Sequence, residues 1–403
     1  MRSPLSLAGN LQRSQISVQA LTRLSSVAVF LIASWSGHSD LVLVALQGTL
    51  LAIPYVLQEA LLGRPIARGV VPPDWDPRAW ATRTALATTL IIAPVVVFVP
   101  LIAVPGGGGW AWAATAVPVL LQVWIENRYW LLNRIRSVAA GNLVPQLTAM
   151  GTVISAVLLA ATGRSVLVAA VPAQLLVLAW AARQCRRGAV SSGIRPALWS
   201  SLRPGMSYGF ASAVGLMFSV ALPTLAGICV GGTAIVVIRA LELVFGPFHL
   251  LLNASVREDL LRGRISPLFS LPKLLTIGSL LVTAVALAGS SAIRRLVSED
   301  LAATAALTVL VYCAYKLFVL VNTWQGTRHM LNASPARFMV TNLTASAIAL
   351  FTIAIGAVWI RDLQLYLLLL CGSEMLLITW YALRNAEDRR RVHIRPRLKE
   401  MSA

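Results

Sequence analysis

Charged residues are scarce in this sequence. Asp, Glu, Lys and Arg together make up 12% of the chain, whereas a soluble globular domain carries about 25%. Hydrophobic residues make up 57%, and the mean hydropathy is +0.75. These values exclude a soluble globular protein, because such a chain cannot be dissolved in water, and they predict a protein that lies in a lipid bilayer.

Catalytic and metal-binding motifs are also lacking. The four cysteines stand apart from one another, at Cys185, Cys229, Cys313 and Cys371. The sequence has no GxGxxG, no phosphate-binding P-loop, no HExxH and no GxSxG. Asp74 and Asp76 form an acidic pair, but the prolines around them indicate a stiffened turn instead of a catalytic site. We therefore predict no catalytic residue, no metal site and no cofactor.

The apolar residues are arranged in runs of about 20, the length that a helix needs to cross a hydrocarbon core of roughly 30 Å. The weak alternation of a membrane β-strand is absent. The pattern predicts an all-α polytopic membrane protein of about twelve transmembrane helices in two six-helix bundles. The predicted spans are 16–35, 40–62, 85–104, 110–132, 143–161, 166–182, 206–228, 233–253, 271–289, 301–324, 338–359 and 363–383.

A net charge of +19 would suggest nucleic-acid binding in a soluble protein, but here the basic residues lie between apolar runs. Positive residues accumulate on the cytoplasmic side of membrane proteins. With both termini inside, only Arg164, Arg294, Arg295 and Arg361 fall in outer connections. This asymmetry predicts an inner-membrane protein with cytoplasmic ends and no nucleic-acid partner.

A basic segment rich in Gly, Ser and Pro separates the two sets of six spans. It predicts a first bundle over 1–183, a cytoplasmic linker over 184–204 and a second bundle over 205–383. The basic tail, 384–403, is predicted to lie in the cytoplasm along anionic lipid headgroups.

Ionisable residues inside a membrane are costly, so they are functional candidates by default. Four lie deep in the second set of spans: Arg239, Glu242, Lys316 and Glu374. Two interpretations are open. In the first, Arg239 and Lys316 line a water-filled cavity and bind an anionic group such as phosphate, and the two carboxylates modulate this binding. In the second, the four charges neutralise one another in structural contacts.

Glu59, Glu126 and Arg128 lie near the predicted inner ends of their spans. Long side chains at that depth reach the headgroup region easily. These three residues are candidates for gating, although a structural role is the alternative. The Gly246-Pro247 pair predicts a kink in the eighth span, because proline removes a backbone donor.

Three features resemble the multidrug/oligosaccharidyl-lipid/polysaccharide exporter superfamily, especially O-antigen flippase-like polysaccharide-biosynthesis membrane proteins. They are the six-plus-six layout, the stretch Gln122-Val-Trp-Ile-Glu126-Asn-Arg128-Tyr-Trp and the stretch Arg239-Ala-Leu-Glu-Leu-Val-Phe-Gly246-Pro247. The resemblance implies two bundles around a central cavity that opens alternately to each side. It also implies that Arg239 and Lys316 bind the diphosphate-sugar head of a polyprenyl-linked cargo.

The sequence as a whole predicts a transporter, namely a flippase or exporter of a lipid-linked oligosaccharide or polysaccharide precursor. Its expected partners are the lipid bilayer, this lipid-linked glycan and glycan-assembly enzymes. One alternative is a cation-coupled small-molecule exporter. Another is a non-catalytic membrane component, or a multi-span glycosyltransferase or polymerase, of a glycan-assembly system.

Overall fold

The structure, a computed structural model, describes residues 4–36, 38–104, 108–186, 193–262, 265–289, 299–333 and 335–400. Within these residues the chain is almost entirely helical and forms no β-strand, although Trp75 and Ile194 make an isolated β-bridge. The chain divides into two compact units, Met1–Ile228 and Cys229–Ala403.

The first unit is built mainly from long helices. Its described α-helices are α1 (Pro4–Ser36), α2 (His38–Leu50), α3 (Ala52–Gln58), α4 (Arg64–Arg68), α5 (Pro77–Ala103), α6 (Gly108–Ile135), α7 (Val138–Ala161), α8 (Ala170–Arg186) and α9 (Met206–Cys229, whose last residue belongs to the second unit). A π-helix over Glu59–Gly63 joins α3 to α4, and short 3-10 helices cover Val166–Val168 and Ser200–Gly205.

The second unit is also helical. Its described α-helices are α10 (Gly232–Val244), α11 (Gly246–Arg262), α12 (Leu271–Gly289), α13 (Glu299–Asn332), α14 (Pro335–Trp359) and α15 (Leu363–Glu400). With 38 residues, α15 is longer than a bilayer crossing requires, and it continues into the basic tail.

The helices match the predicted membrane spans. Within the residues that the structure describes, eight segments are long and apolar enough to cross a bilayer: Leu41–Ile66, Pro77–Ala103, Gly108–Ile135, Val138–Ala161, Val166–Arg186, Leu307–His329, Arg337–Trp359 and Leu363–Glu387. Two shorter apolar helices, Ala20–Trp35 and Lys273–Leu287, overlap the first and ninth predicted spans. The seventh and eighth spans lie on α9 and on α10 with α11. The predicted all-α polytopic fold is confirmed.

Some sequence features lie outside the described residues. They are the chain ends at 1–3 and 401–403, residues 105–107 between the third and fourth predicted spans, residues 187–192 of the predicted linker, and Arg294 and Arg295 of a predicted outer connection.

The second predicted span is broken into several helices. Pro54 has no backbone N–H, and its ring crowds the carbonyl four residues earlier; that carbonyl belongs to Leu50, where α2 ends. After α3 the backbone enters the π-helix, which gives the turn an additional residue.

Glycines allow other segments to pack closely against this π-helix. A Cβ atom at Gly63 would lie 2.6 Å from the Trp130 ring, and one at Gly205 would lie 2.5 Å from Cα of Leu61. A larger residue at either position would require the neighbouring atoms to move. The two glycines therefore allow α6 and the 3-10 helix Ser200–Gly205 to lie close to the π-helix.

The Asp74/Asp76 segment is a structural turn that holds part of the predicted linker. Ile194 donates a 2.7 Å hydrogen bond to the carbonyl of Asp74, and the backbone N–H of Asp76 donates one of 3.0 Å to the carbonyl of Ile194. The Asp76 side chain caps the N-terminus of α5 by accepting from the backbone N–H of Arg78. Residues 193–205 thus pack within the first unit, and the linker boundary at 184–204 stays a prediction.

The Gly246-Pro247 pair interrupts the eighth predicted span as expected. α10 ends at Val244 and α11 begins at Gly246, so the break lies between Arg239 and Glu242 on α10 and all of α11. The predicted kink is confirmed.

A buried ion pair joins the end of α11 to the start of α12. Lys273 Nζ lies 2.9 Å from Oδ2 of Asp259, and only 3% and 5% of the two side chains is exposed. Ser266 donates from both its backbone N–H and its hydroxyl to Oδ1 of Asp259. Burial opposes the charged form of Asp259, but these hydrogen bonds and Lys273 outweigh burial and hold its pKa below the ordinary value.

Candidate functional site

The second unit contains all four predicted intramembrane charges. Arg239 and Glu242 lie one turn apart on α10, and Nη1 of Arg239 is 3.2 Å from Oε2 of Glu242. The two side chains keep 18% and 29% of their surfaces exposed. An ion pair with this exposure can exchange partners, because its charges have not lost all contact with the surroundings.

Lys316, on α13, is placed differently. Only 5% of its surface is exposed. Its Nζ lies 4.9 Å from the ring centroid of Tyr312 and 4.8 Å from that of Tyr315. Among the described residues, no carboxylate oxygen lies within 4.0 Å of this amine. Aromatic faces attract a cation, so the two rings support the amine without neutralising it.

Glu374, on α15, is the second buried charge. It is 8% exposed and accepts a 2.7 Å hydrogen bond from Nδ2 of Asn322, which lies on α13. Both Glu374 and Glu242 attract Lys316 electrostatically. The structure therefore brings α10, α13 and α15 together around one group of two cations and two carboxylates.

This arrangement contains elements of both sequence-based interpretations. Arg239 and Glu242 form the direct contact expected of mutual neutralisation. Lys316 does not, since rings and not carboxylates are its direct contacts. A buried ammonium group without a contacting anion can bind an incoming anionic ligand, and nearby tyrosine rings can stack on a sugar or another flat group.

Glu126, in the first unit, is enclosed by protein atoms. It is 6% exposed and accepts a 2.9 Å hydrogen bond from Nε2 of Gln122 on the same helix. Nε2 of Gln174, on α8, donates a 3.0 Å hydrogen bond to Oε1 of Gln122 and a 2.9 Å hydrogen bond to the carbonyl of Pro118. The first unit thus contains a buried carboxyl at the end of a chain of amide hydrogen bonds, and the interfacial depth of Glu126 stays a prediction.

The two other interface candidates have local partners. Glu59 opens the π-helix and lies 3.4 Å from Arg64, with both side chains partly exposed. Arg128 lies beside the Cys185 thiol of α8. No group of three or more His, Cys, Asp or Glu residues that could hold a metal ion occurs in the described part of the chain.

Sequence reasoning missed the neutral residues around the charges. Tyr312, Tyr315 and Asn322 contact the charged residues, and Gln174 organises the Glu126 network. The spacing of Tyr312 and Lys316, four residues apart on one helix face, was a signal that could have found the first contact. Asn322 and Gln174 belong to helices far from their partners in sequence, and no local pattern marks them.

Comparison by sequence finds no relative: no protein-family model matches the chain, and no curated protein matches it significantly. Comparison by structure does. A lipid II flippase MurJ in an inward closed conformation superposes with a TM-score of 0.63 at 11% identity, covering 92% of this chain and 86% of that one. The chain has the fold of MOP superfamily transporters.

Two further structures with the MOP fold support this assignment. A multidrug resistance MATE family transporter of the MOP superfamily in an inward-facing conformation gives a TM-score of 0.58 at 14% identity, with 96% of each chain covered. An outward-facing conformation of such a transporter gives 0.56 at 13% identity, with 94% of this chain and 95% of that chain covered. The MOP fold predicted from the sequence resemblance is confirmed.

Proposed function

We propose that this chain is a membrane transporter, not an enzyme, which moves a lipid-linked oligosaccharide or polysaccharide precursor across the cytoplasmic membrane by alternating access. The MOP fold supports the transport class, since solved proteins with this fold include a lipid II flippase and MATE transporters in inward-facing and outward-facing conformations. In this proposal the bundles at 1–183 and 205–383 rock about the linker at 184–204.

The observation that carries the proposal is the environment of Lys316. Burying an ammonium group without a contacting anion is costly. The Lys316 ammonium group lies beside two tyrosine rings, and its burial there is explained if an anionic group of the cargo is its partner. A phosphate or diphosphate supplies the negative charge, and an attached sugar supplies a face for the rings.

Arg239 supplies the second cation. Its pair with Glu242 is partly exposed, so an anionic cargo can compete with Glu242 for the guanidinium. Release of the cargo then restores the Arg239–Glu242 pair. The carboxylates of Glu242 and Glu374 limit how tightly the anion is held, which a transporter requires if it is to release its cargo on the other side.

The charge distribution supports the proposed orientation. Of the 34 Lys and Arg residues, 25 fall on one side of the twelve predicted spans and four arginines fall in the connections on the other side. The remaining five lie within the spans: Arg23, Arg128, Arg239, Lys273 and Lys316. By the positive-inside rule the more basic side is cytoplasmic, and it contains both termini.

The test is transport of a polyprenyl-diphosphate-linked glycan by the purified full chain in proteoliposomes. We expect Lys316→Met to lower the transport rate about tenfold, equivalent to 1.4 kcal/mol. Lys316→Arg should keep part of the rate, because it keeps the charge. Arg361→Gln is the control, since Arg361 is an exposed arginine of the same unit that contacts only the Cys229 carbonyl among the contacts described. Normal transport in both Lys316→Met and Arg239→Gln would overturn the proposal.

The buried Glu126 favours a second candidate, a cation-coupled small-molecule exporter. A carboxyl enclosed in an amide network can bind or release a cation as the protein changes conformation. Efflux of an organic cation, driven by a proton or sodium gradient and lost in Glu126→Gln but kept in Lys316→Met, would favour this candidate over glycan transport. A change in glycan chain length after loop mutations would instead indicate a polymerase.

A further inference from the structure

Two opposite charges in the second unit lie close together without forming an ion pair. The Lys316 ammonium on α13 and the Glu374 carboxylate on α15 are both buried, and they attract each other electrostatically. Such an attraction is much stronger in a buried site than in water. The nitrogen and the carboxylate oxygens nevertheless stay more than 4.0 Å apart. Something in the structure therefore holds these two charges out of contact.

Neutral side chains contact each of the two charges. On the side of the cation these are the rings of Tyr312 and Tyr315. On the side of the carboxylate, Nδ2 of Asn322 donates a 2.7 Å hydrogen bond to Oε2 of Glu374. A hydrogen bond to an ionised acceptor is stronger than one between neutral groups. The amide of Asn322 is thus the direct partner of the carboxylate.

Asn322 draws the carboxylate toward a different part of α13. It follows Lys316 by six residues, which correspond to about 9 Å along a helix. Its Oδ1 is buried and accepts no hydrogen bond from the described residues, and burying an acceptor in this way is unfavourable. What Asn322 contributes is therefore its contact with Glu374, since the rest of its amide is poorly satisfied.

Loss of this hydrogen bond would change the partner of Glu374. Glu242 already has a direct partner in Arg239, 3.2 Å away on the same helix. Lys316 has none among the carboxylates of the described residues, so it is the cation that Glu374 would meet. A direct pair between them would neutralise the ammonium. The ammonium would then bind an incoming anion less well, because the anion would have to displace Glu374 first.

We infer that Asn322 is a positioning residue that holds the Glu374 carboxylate apart from Lys316 and keeps the ammonium available for the phosphate of the cargo. The inference rests on the proposed function, and it names the residue that determines how strongly this site binds an anion. Asn322 acts through Glu374 and does not need to touch the cargo.

The first test is binding of a polyprenyl diphosphate to the purified full chain in detergent, measured by isothermal titration calorimetry. The uncharged polyprenol of the same length is the reference ligand. We expect Asn322→Leu to weaken binding of the diphosphate about tenfold and to leave binding of the polyprenol unchanged. Adding Glu374→Gln to this variant should restore the diphosphate affinity, because a neutral amide cannot neutralise Lys316.

Asn385→Leu is the matched control. Asn385 is buried on α15, and its Nδ2 donates to Oε1 and to the backbone carbonyl of Gln325 on α13, at 2.9 Å and 3.3 Å. It therefore joins the same two helices as Asn322 does, but its partner is uncharged. Asn385→Leu should lower the unfolding temperature and keep the diphosphate affinity of the parent chain.

A second measurement needs no cargo. If Glu374 pairs with Lys316 once the amide is gone, Lys316→Met breaks a buried ion pair in the Asn322→Leu chain but not in the parent chain. We expect Lys316→Met to lower the unfolding temperature more in the Asn322→Leu chain. This comparison separates the inference from the proposed function, because it does not depend on what the protein transports.

Four results would overturn the inference. They are equal effects of Lys316→Met on unfolding in the two chains, no recovery of diphosphate binding with Glu374→Gln, an equal loss of binding in Asn385→Leu, and unchanged binding in Asn322→Leu when Lys316→Met weakens it. If Lys316→Met leaves diphosphate binding unchanged in the parent chain, the proposed function loses its support, and the unfolding comparison still decides the role of Asn322.

Discussion

Nζ of Lys316 lies 4.8 Å from the ring centroid of Tyr315, on the same helix, while no carboxylate oxygen of the described residues is within 4.0 Å of the amine. The ring therefore provides part of the stabilisation that a salt bridge gives to most buried lysines. Tyr315 is 8% exposed, so water cannot replace the ring easily.

Replacing Tyr315 by Leu should destabilise the second unit by about 2 kcal/mol, the value of a desolvated cation–π contact. Tyr315→Phe keeps the aromatic face and should change stability much less. Thermal unfolding of both purified variants in the same detergent measures the difference. Equal unfolding temperatures for the Phe and Leu variants would mean that the ring does not stabilise Lys316.

Replacing Asp259 by Asn should destabilise the junction of α11 and α12 by about 3 to 5 kcal/mol, because it leaves the Lys273 ammonium buried without its partner. Thermal unfolding again provides the measurement. The double variant Asp259→Asn, Lys273→Met should recover part of the loss, since the unpaired charge is gone. Glu387→Gln is the control: its ion pairs are partly exposed, and pairs of that kind contribute between 0 and about 1 kcal/mol. Asp259→Asn with the same stability as Glu387→Gln would contradict the prediction.

The same cluster predicts how stability depends on pH. Folding lowers the pKa of Asp259, so its carboxylate contributes stability above the ordinary aspartate pKa of about 3.9, and this contribution is lost as pH falls through the lower, folded value. We expect Asp259→Asn to be less stable than the parent chain by a constant amount between pH 5 and 8, and the two to converge in strong acid. A difference that disappears already near pH 6 would show that another group is titrating.

Replacing Gly205 by Ala should destabilise the first unit by about 1 to 3 kcal/mol, the usual range for overpacking. The new Cβ would lie 2.5 Å from Cα of Leu61, and backbone in the π-helix cannot move aside as a flexible side chain can. The control is Gly278→Ala on α12, where no atom lies within 4 Å of the added Cβ. That change should stabilise the helix by up to about 1 kcal/mol. Matching effects of the two substitutions on unfolding temperature would argue against the close contact at Leu61.

Several features of the fold were accessible from local sequence, each for a local reason. Apolar runs of about 20 residues predicted the membrane spans, since the thickness of the hydrocarbon core determines the length of a crossing helix. Gly246-Pro247 predicted the break between α10 and α11, because proline lacks the required donor. The prolines beside Asp74 and Asp76 predicted the turn that the structure has there.

Other features had no local signal. Gly205 and Trp130 pack closely against the π-helix at Glu59–Gly63, and both come from distant parts of the chain. Glu126 is buried and accepts a hydrogen bond from Gln122, which in turn accepts one from Gln174 of another helix, and no local pattern marks this network. The position of a residue along a span can be counted from the sequence, whereas the residues of other helices that its side chain contacts cannot.

The sequence by itself determined that this protein is helical, resides in a membrane and carries four charges deep in its second half, because hydrophobicity and helix length act on each segment separately. Only the tertiary structure decided what surrounds each charge. Arg239 pairs with Glu242 on its own helix, Glu374 accepts a hydrogen bond from Asn322 of another helix, and Lys316 lies beside two rings, with no carboxylate in the described part of the chain in contact with it. The free energy of a buried charge depends on the atoms within a few ångströms of it, and helix packing brings those atoms from distant parts of the chain.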